Sequence, residues 1–162
     1  MIRDAMTEAV FDCMVYLQAI INENGPAAAV LRAVREDRVL LFHSAEIVSE
    51  LRDVLSRPIL RHKFPRLTDE RVEALLQLAL EKGVSVQNVP PEFTYARDPK
   101  DEKYINLALI AKVDCIVSRD NDLLDLMDET RRDGREFRAR FPMLSILDPV
   151  AFLNHLALLS ER

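Results

Sequence analysis

Apolar and polar positions alternate along the chain between short apolar runs and longer stretches with helical spacing. The short runs predict buried strands over residues 8–16, 39–42, 84–88, 114–118 and 144–147. Between them, apolar residues recurring every three or four positions predict helices over 27–36, 44–56, 68–83, 98–112, 120–127 and from 148 onwards. Strands alternating with helices favour a parallel sheet covered on both faces. We therefore expect an α/β chain organised as one domain over residues 1–162.

Residues with a capping role support two of these helices. Ser44 precedes the helix over 44–56 and can accept a hydrogen bond from its first turn. The sequence Asp98-Pro99-Lys100-Asp101 is typical of a helix start, with Asp at the cap, Pro at the first position and Asp in the first turn. Asp98 is thus better explained as a cap than as a metal ligand.

Composition restricts the class of protein. The chain has 162 residues, 49% hydrophobic and 30% charged, which suits one compact soluble domain. No apolar stretch approaches the ~18–20 residues of a membrane span, and residues 1–8 lack the apolar region of a secretory signal. Cys13 and Cys115 lie in predicted strands and are expected to be reduced, so we predict a cytoplasmic protein.

Four carboxylates interrupt the apolar segments. Asp12 lies inside the first apolar run, and Glu50 falls on the apolar face of the helix over 44–56. Asp101 opens a helix, and Asp120 directly follows the fourth strand. Burying an unpaired carboxylate is costly, and no matching set of Lys or Arg lies within those apolar runs. A divalent metal ion is the economical partner.

Each carboxylate also has a structural alternative. Glu50 could lie at the edge of the apolar stripe and reach water, and Asp101 is favoured in a first helical turn by the helix dipole. Asp122 has two equal interpretations, as a further carboxylate of the site or as the start of a short helix. Asp12 is the hardest to explain, because a charge inside a buried strand has no ordinary structural use.

Four segments together resemble the PIN-domain ribonucleases, a family that includes the VapC-like toxins of toxin–antitoxin modules. They are Phe11–Val15, Ser44–Leu55, Arg97–Ala108 and Asp114–Leu124, in the family's order and spacing. The first is similar to a strand bearing Asp-Thr-Asn-Val, and the last to a strand followed by Thr-x-Asp-x-Asp-Leu-Leu. Met14 departs from the pattern, since the family has Asn there.

The resemblance implies a three-layer α/β/α fold with a central, mostly parallel sheet. It implies a catalytic metal site made by Asp12, Glu50, Asp101 and Asp120, to which Asp122 is added. Such a site would use Mg²⁺ or Mn²⁺, which prefer hard oxygen ligands, to cleave single-stranded RNA endonucleolytically. Ser118 stands where the family has Thr or Ser and would order the site by hydrogen bonding. A toxin of this kind has an antitoxin protein as partner.

Basic residues offer a path for RNA despite the net charge of −5. Arg131, Arg135 and Arg138 fall on one helical face and could contact phosphates, and a second basic cluster spans residues 57–66. The alternative for both is a solvated surface with intrahelical pairs. The broad apolar face of the last helix makes a homodimer plausible, unless the core absorbs it.

Two other functions compete with the ribonuclease. A catalytically weak PIN-like domain could act as an RNA- or protein-binding module; Met14 favours it and the four carboxylates oppose it. An aspartyl phosphatase also places Asp after a first strand, but it needs a second Asp where Met14 stands.

Overall fold

A parallel sheet forms the centre of the computed structural model, which describes residues 6–161. Within that range, five strands pair in the order β3-β2-β1-β4-β5, and every neighbouring pair is parallel. The strands are β1 (Thr7–Phe11), β2 (Val39–His43), β3 (Val84–Ser85), β4 (Cys115–Val117) and β5 (Ser145–Leu147). The predicted strand order along the chain and the parallel pairing are both confirmed.

Helices cover both faces of this sheet. They are α1 (Cys13–Ile21), α2 (Pro26–Arg35), α3 (Ala45–Ser56), α4 (Pro58–Lys63), α5 (Asp69–Lys82), α6 (Glu102–Ala111), α7 (Asn121–Leu124), α8 (Arg132–Arg140) and α9 (Pro149–Ser160), with 3₁₀ turns at Pro99–Asp101 and Asp125–Met127. Ala9 and Phe11 pack with α1, α2, α5 and α9, whereas Val10 packs with α6, α7 and α8. Successive residues of β1 thus face opposite layers. This confirms the three-layer α/β/α fold.

The predicted strand over residues 8–16 is wrong in its second half. β1 ends at Phe11, Asp12 is the extended N-cap, and the helix α1 begins at Cys13. A short continuous apolar run does not distinguish a buried strand from a buried helix. Cys13 is therefore helical and half-buried, while Cys115 lies buried in its predicted strand; both are free cysteines.

Boundaries elsewhere follow the capping residues, with two exceptions. Ser44 caps α3 through the Ile47 N–H, as predicted, at 3.3 Å. Pro58 does not only end α3; it occupies the first position of α4, a short helix that the sequence pattern did not predict. The strand predicted over 84–88 is reduced to two exposed residues at the sheet edge.

The last helix is partly absorbed by the core. Phe152 and Leu156 of α9 are buried, whereas Leu158 and Leu159 are 63% and 40% exposed. In the part of the chain that the structure describes, no helix combines the length and the apolar character needed to cross a membrane. The expectation about a missing secretory signal falls partly on residues 1–5, which lie outside the described residues.

Candidate metal centre

The acidic residues gather where two neighbouring strands end. β1 and β4 are adjacent and parallel, with Phe11 opposite Val117, so their carboxyl ends meet at one edge of the sheet. Asp12 follows β1, and its N–H donates to the Val117 carbonyl at 3.1 Å. Asp120 lies just beyond β4. This edge is where sites form in open parallel sheets.

Four aspartates form a compact group at this edge. Asp98, Asp101, Asp120 and Asp122 each offer one carboxylate oxygen, and these oxygens lie within 4.8 Å of one another. Asp98 and Asp101 come together because the 3₁₀ turn eclipses side chains three residues apart. Asp120 caps α7, and its Oδ1 accepts from the Asp122 N–H at 2.9 Å. Three of the predicted ligands are thus brought together.

Asp98 is the member of this aspartate cluster that the sequence reasoning assigned only to capping. It does cap the turn, since its Oδ1 accepts from the Lys100 N–H at 3.1 Å. The same carboxylate nevertheless lies beside Asp101. The signal was present in the Asp-Pro-Lys-Asp spacing, because a 3₁₀ turn places both ends of that motif on one side.

Asp101 has the most strained electrostatic position. It is 6% exposed, and its Oδ2 has no hydrogen-bond partner among the described residues. Burial, followed by the charges of Asp120 and Asp98, raises the pKa of Asp101 to about 8. A divalent cation between these oxygens would replace mutual repulsion by attraction and satisfy the unpartnered atom. The residues present therefore fit a divalent cation that prefers oxygen ligands.

Asp12 lies beside the aspartate cluster and not within that group of four. Its Oδ1 accepts from the Val15 N–H at 3.0 Å, and its Oδ2 accepts from the Ser118 hydroxyl. Ser118 Oγ in turn accepts from the Asp120 N–H at 2.9 Å. Burial raises the pKa of Asp12 to about 6, although these hydrogen bonds oppose the shift. Ser118 thus connects the residues that follow β1 and β4 through hydrogen bonds.

Glu50 is the predicted ligand that the structure keeps apart from the aspartate cluster. It is ion-paired with Lys103 and accepts from the Tyr104 hydroxyl at 2.8 Å. Burial raises its pKa, but Lys103 and Tyr104 outweigh burial and lower the pKa overall. The expectation that the carboxylates lack basic partners is therefore wrong for Glu50, because Lys103 comes from a different helix.

Asp122 also has a basic partner that sequence reasoning missed. Arg97 Nε lies 2.6 Å from Asp122 Oδ1, and the same guanidinium lies 2.8 Å from Asp125 Oδ2. Tyr95 adds a hydrogen bond from its hydroxyl to the Asp122 carbonyl at 2.6 Å. One Asp122 oxygen is thus committed to Arg97, and the motif gave no signal of this pairing because it forms across the fold.

The arginines proposed to contact RNA have intramolecular partners. Arg131 lies 3.3 Å from Asp133, and Arg138 lies 3.1 Å from Glu129. Arg135 donates to the Glu129 carbonyl at 3.1 Å. All three arginines remain exposed, so this arrangement agrees with the paired-surface alternative while leaving the guanidinium faces accessible to phosphates.

Met14 lies at the rim of the site. It is 39% exposed and lies on α1, because the strand predicted over residues 8–16 ends at Phe11. Together with its neighbours it lines an open pocket of 430 Å³, formed by Met14, Gln18, Arg119, Asp120 and Asn121. The residue that departs from the family pattern is therefore in a position to affect what approaches Asp120.

Comparison with known proteins agrees with this geometry. A family model described as a PIN domain matches residues 8–122, which include every carboxylate of the site. An uncharacterized protein of the archaeon Methanocaldococcus jannaschii is 29% identical over 124 residues, covering 76% of this chain and 77% of that protein. No solved structure matches the chain. PIN domains are typically metal-dependent nucleases, and the aspartate cluster suits that chemistry. The chain belongs to the PIN domain family.

Proposed function

We propose that this protein is a metal-dependent endoribonuclease that cleaves single-stranded RNA and acts as the toxin of a toxin–antitoxin module. The observation that carries the catalytic part is the buried Oδ2 of Asp101, which has no hydrogen-bond partner among residues 6–161 and lies among three further carboxylates. Arg97 pairs with Asp122, but Asp98, Asp101 and Asp120 have no ion pair among residues 6–161, so a structural ion cluster explains this group poorly. Free Cys13 and Cys115 favour a reducing compartment, and we propose the cytoplasm.

Asp101 and Asp120 are the residues that would hold Mg²⁺ or Mn²⁺, with Asp98 and the second oxygen of Asp122 beside them. A bound ion would stabilise charge that develops on the phosphate and lower the pKa of water. Asp12 supports the same position through Ser118, and with a pKa of about 6 its carboxyl is mainly ionised at neutral pH. It can therefore accept a proton from water or hold a water molecule of the ion.

Glu50 is not a member of the aspartate cluster, but it shares the Tyr104 hydroxyl with the Cys13 N–H, next to Asp12. Its carboxylate belongs to the same catalytic group in our proposal, acting through water. This assignment retains the four acidic residues of the family pattern. Asp101 and Asp120 would bind the ion directly, and Asp12 and Glu50 would act through water molecules.

Exposed basic residues support an RNA path beside the site. Arg119 is exposed and lines the pocket next to Asp120. We propose that it contacts the phosphate backbone and that Arg131, Arg135 and Arg138 extend the contact surface. Contacts of this kind hold a backbone without reading its sequence.

A basic groove supports the antitoxin partner. It is an open cavity of 450 Å³ between α1, α2 and α5. Its apolar lining includes Leu31, Leu75 and Leu78, and its basic lining residues are Arg32, Arg35, Arg66 and Arg71. Among the described residues that line it, Glu23 is the acidic side chain. This concentration of positive charge stands out in a chain of net charge −5. We propose that an acidic amphipathic segment of the antitoxin binds there.

The outer face of α9 supports a homodimer. Val150, Leu158 and Leu159 are 55%, 63% and 40% exposed. We propose that this face packs against a second copy. Leu158→Glu should then lower the molecular mass measured by sedimentation to that of one chain, and a mass already that of one chain in the wild type would contradict the dimer.

The alternative function is an RNA- or protein-binding module with weak catalysis. Met14 at the rim favours it, because a thioether cannot orient water or phosphate as the family's amide can. The pairing of Glu50 with Lys103 also favours it, since it reduces the charge available to an ion.

Calorimetric titration with Mn²⁺, followed by an RNA-cleavage assay, separates the two functions. The nuclease proposal expects Mn²⁺ binding that Asp101→Asn and Asp12→Asn weaken, and cleavage of single-stranded RNA that follows the same order. Asp53→Asn is the matched control, because Asp53 is exposed and pairs with Arg57, the residue that follows α3. RNA that is bound but not cleaved with either ion would favour the binding module.

A further inference from the structure

Lys103 is an unusually buried cation next to the candidate metal centre. Its side chain is 9% exposed, whereas that of its partner Glu50 is 27% exposed. The ammonium also donates to the Lys100 carbonyl and lies 5.0 Å from the centre of the Tyr104 ring. Three different contacts therefore hold one amine in one place.

The same network reaches the residues that flank the site. Lys103 and Tyr104 lie in the first turn of α6, directly after Asp101. The Tyr104 hydroxyl donates to Glu50 at 2.8 Å and accepts from the Cys13 N–H at 3.2 Å, next to Asp12. The side chain of Glu50 is thus held between the starts of α6 and α1.

Stability alone is a weak explanation for such a pair. A buried ion pair rarely stabilises a fold more than well-packed apolar side chains would, because both charges lose hydration. Removing one partner, in contrast, frees the other to move or to seek a new partner. Without Lys103, Glu50 would lose its cationic partner and the contact that fixes one of its two oxygens.

We propose that Lys103 is a positioning residue that holds Glu50 in one orientation and keeps it from ligating the ion directly. Glu50 then acts only through water. Tyr104 assists by holding the second oxygen of the same carboxylate. The inference rests on the proposed nuclease function and deepens it by assigning a role to a residue outside the acidic set.

Kinetics of four variants test this role: Lys103→Met, Lys103→Arg, Glu50→Gln and the double variant Lys103→Met/Glu50→Gln. With Mn²⁺ and a single-stranded RNA oligonucleotide, we expect Lys103→Met to lower kcat about 10- to 100-fold, as for other residues that support metal ligands. KM should change less than about 2-fold, because substrate binding is not affected. Lys103→Arg should recover most of the rate, since it restores the cation.

The double variant separates positioning from a structural role. If Lys103 acts through Glu50, the double variant should lose no more than about 2-fold beyond Glu50→Gln alone. Lys82→Met is the matched control, because Lys82, at the end of α5, pairs with Asp37 outside the candidate metal centre. Lys103→Gln replaces Lys103→Met if the latter does not fold, as judged by circular dichroism.

Two results overturn the inference in different ways. If the wild type cleaves RNA and Lys103→Met has the same kcat, Lys103 has no positioning role. The same conclusion follows if the rate losses of the two single variants add fully in the double variant. Both results leave the nuclease proposal intact. A wild-type protein that neither binds Mn²⁺ in calorimetry nor cleaves RNA would overturn both proposals together.

Discussion

Asp101→Asn should stabilise the metal-free protein at neutral pH. The ordinary pKa of this carboxyl is 3.8, and burial beside Asp120 and Asp98 raises it to about 8 in the folded chain. Between those two values the folded state binds a proton that the unfolded state has released. The free energy of unfolding therefore falls as pH rises through this window, and the loss is complete above the folded pKa.

The size of this effect follows from the width of the window. From the ordinary pKa to pH 7 the window spans about three pH units, each worth about 1.4 kcal/mol, which gives an upper limit of about 4 kcal/mol. Solvent screening at the open side of the cluster reduces this to about 2 kcal/mol. An Asn side chain has nearly the same shape and no charge, so it should recover that amount.

Urea unfolding in EDTA at pH 4 and pH 7 measures the difference. We expect Asp101→Asn and the wild type to unfold alike at pH 4 and the variant to be more stable by about 2 kcal/mol at pH 7. Asp53→Asn, at an exposed position, should follow the wild type at both pH values.

Added Mn²⁺ should reverse the order of stability. An ion that binds only the folded wild type adds about 2.7 kcal/mol at one hundred times its dissociation constant, and the variant gains less. A variant that is less stable than the wild type at pH 7 without metal would refute the reasoning, because it would show that the Asp101 carboxylate is stabilised by contacts and not strained by repulsion.

Three further substitutions test other parts of the structure. Gly134→Ala should lower the free energy of unfolding by about 1–3 kcal/mol, because its Cβ would lie 2.0 Å from the Asp128 carbonyl oxygen; urea unfolding measures it, and an unchanged midpoint would contradict this packing. Met14→Asn should raise the cleavage rate with a stability change within about 0.5 kcal/mol, because the side chain is exposed at the rim; an unchanged rate would show that the amide is not needed. Arg97→Met should lower the metal-free Tm, because Asp122 and Asp125 lose the guanidinium that pairs with both, and added Mn²⁺ should recover part of the loss. A Tm equal to that of the wild type would mean that these ion pairs contribute little to stability.

Local patterns along the chain were sufficient for most of the fold. Strands β2 and β4 and helices α3 and α5 follow from short apolar runs, helical spacing and capping residues such as Ser44. These signals come from neighbours within one or two turns, so the sequence contains them directly. The same applies to the acidic residues after β1 and β4, because parallel strands bring their carboxyl ends together.

Tertiary structure alone decided where β1 stops and which carboxylates share a site. Apolar residues continue on both sides of Asp12, so the pattern alone did not show that the strand paired with β2 and β4 ends at Phe11 and that Asp12 is a helix cap. Lys103 and Arg97 come to their acidic partners from other elements.

The physical reason is the range over which each kind of information acts. Propensity and periodicity depend on residues close in sequence, whereas an ion pair or a pKa depends on distances between side chains that only packing brings near. The chain's own pattern therefore determined that Asp12 and Asp120 would lie at the same edge of a parallel sheet. The packing of α3 against α6 determined that Glu50 would be held by Lys103, outside the aspartate cluster.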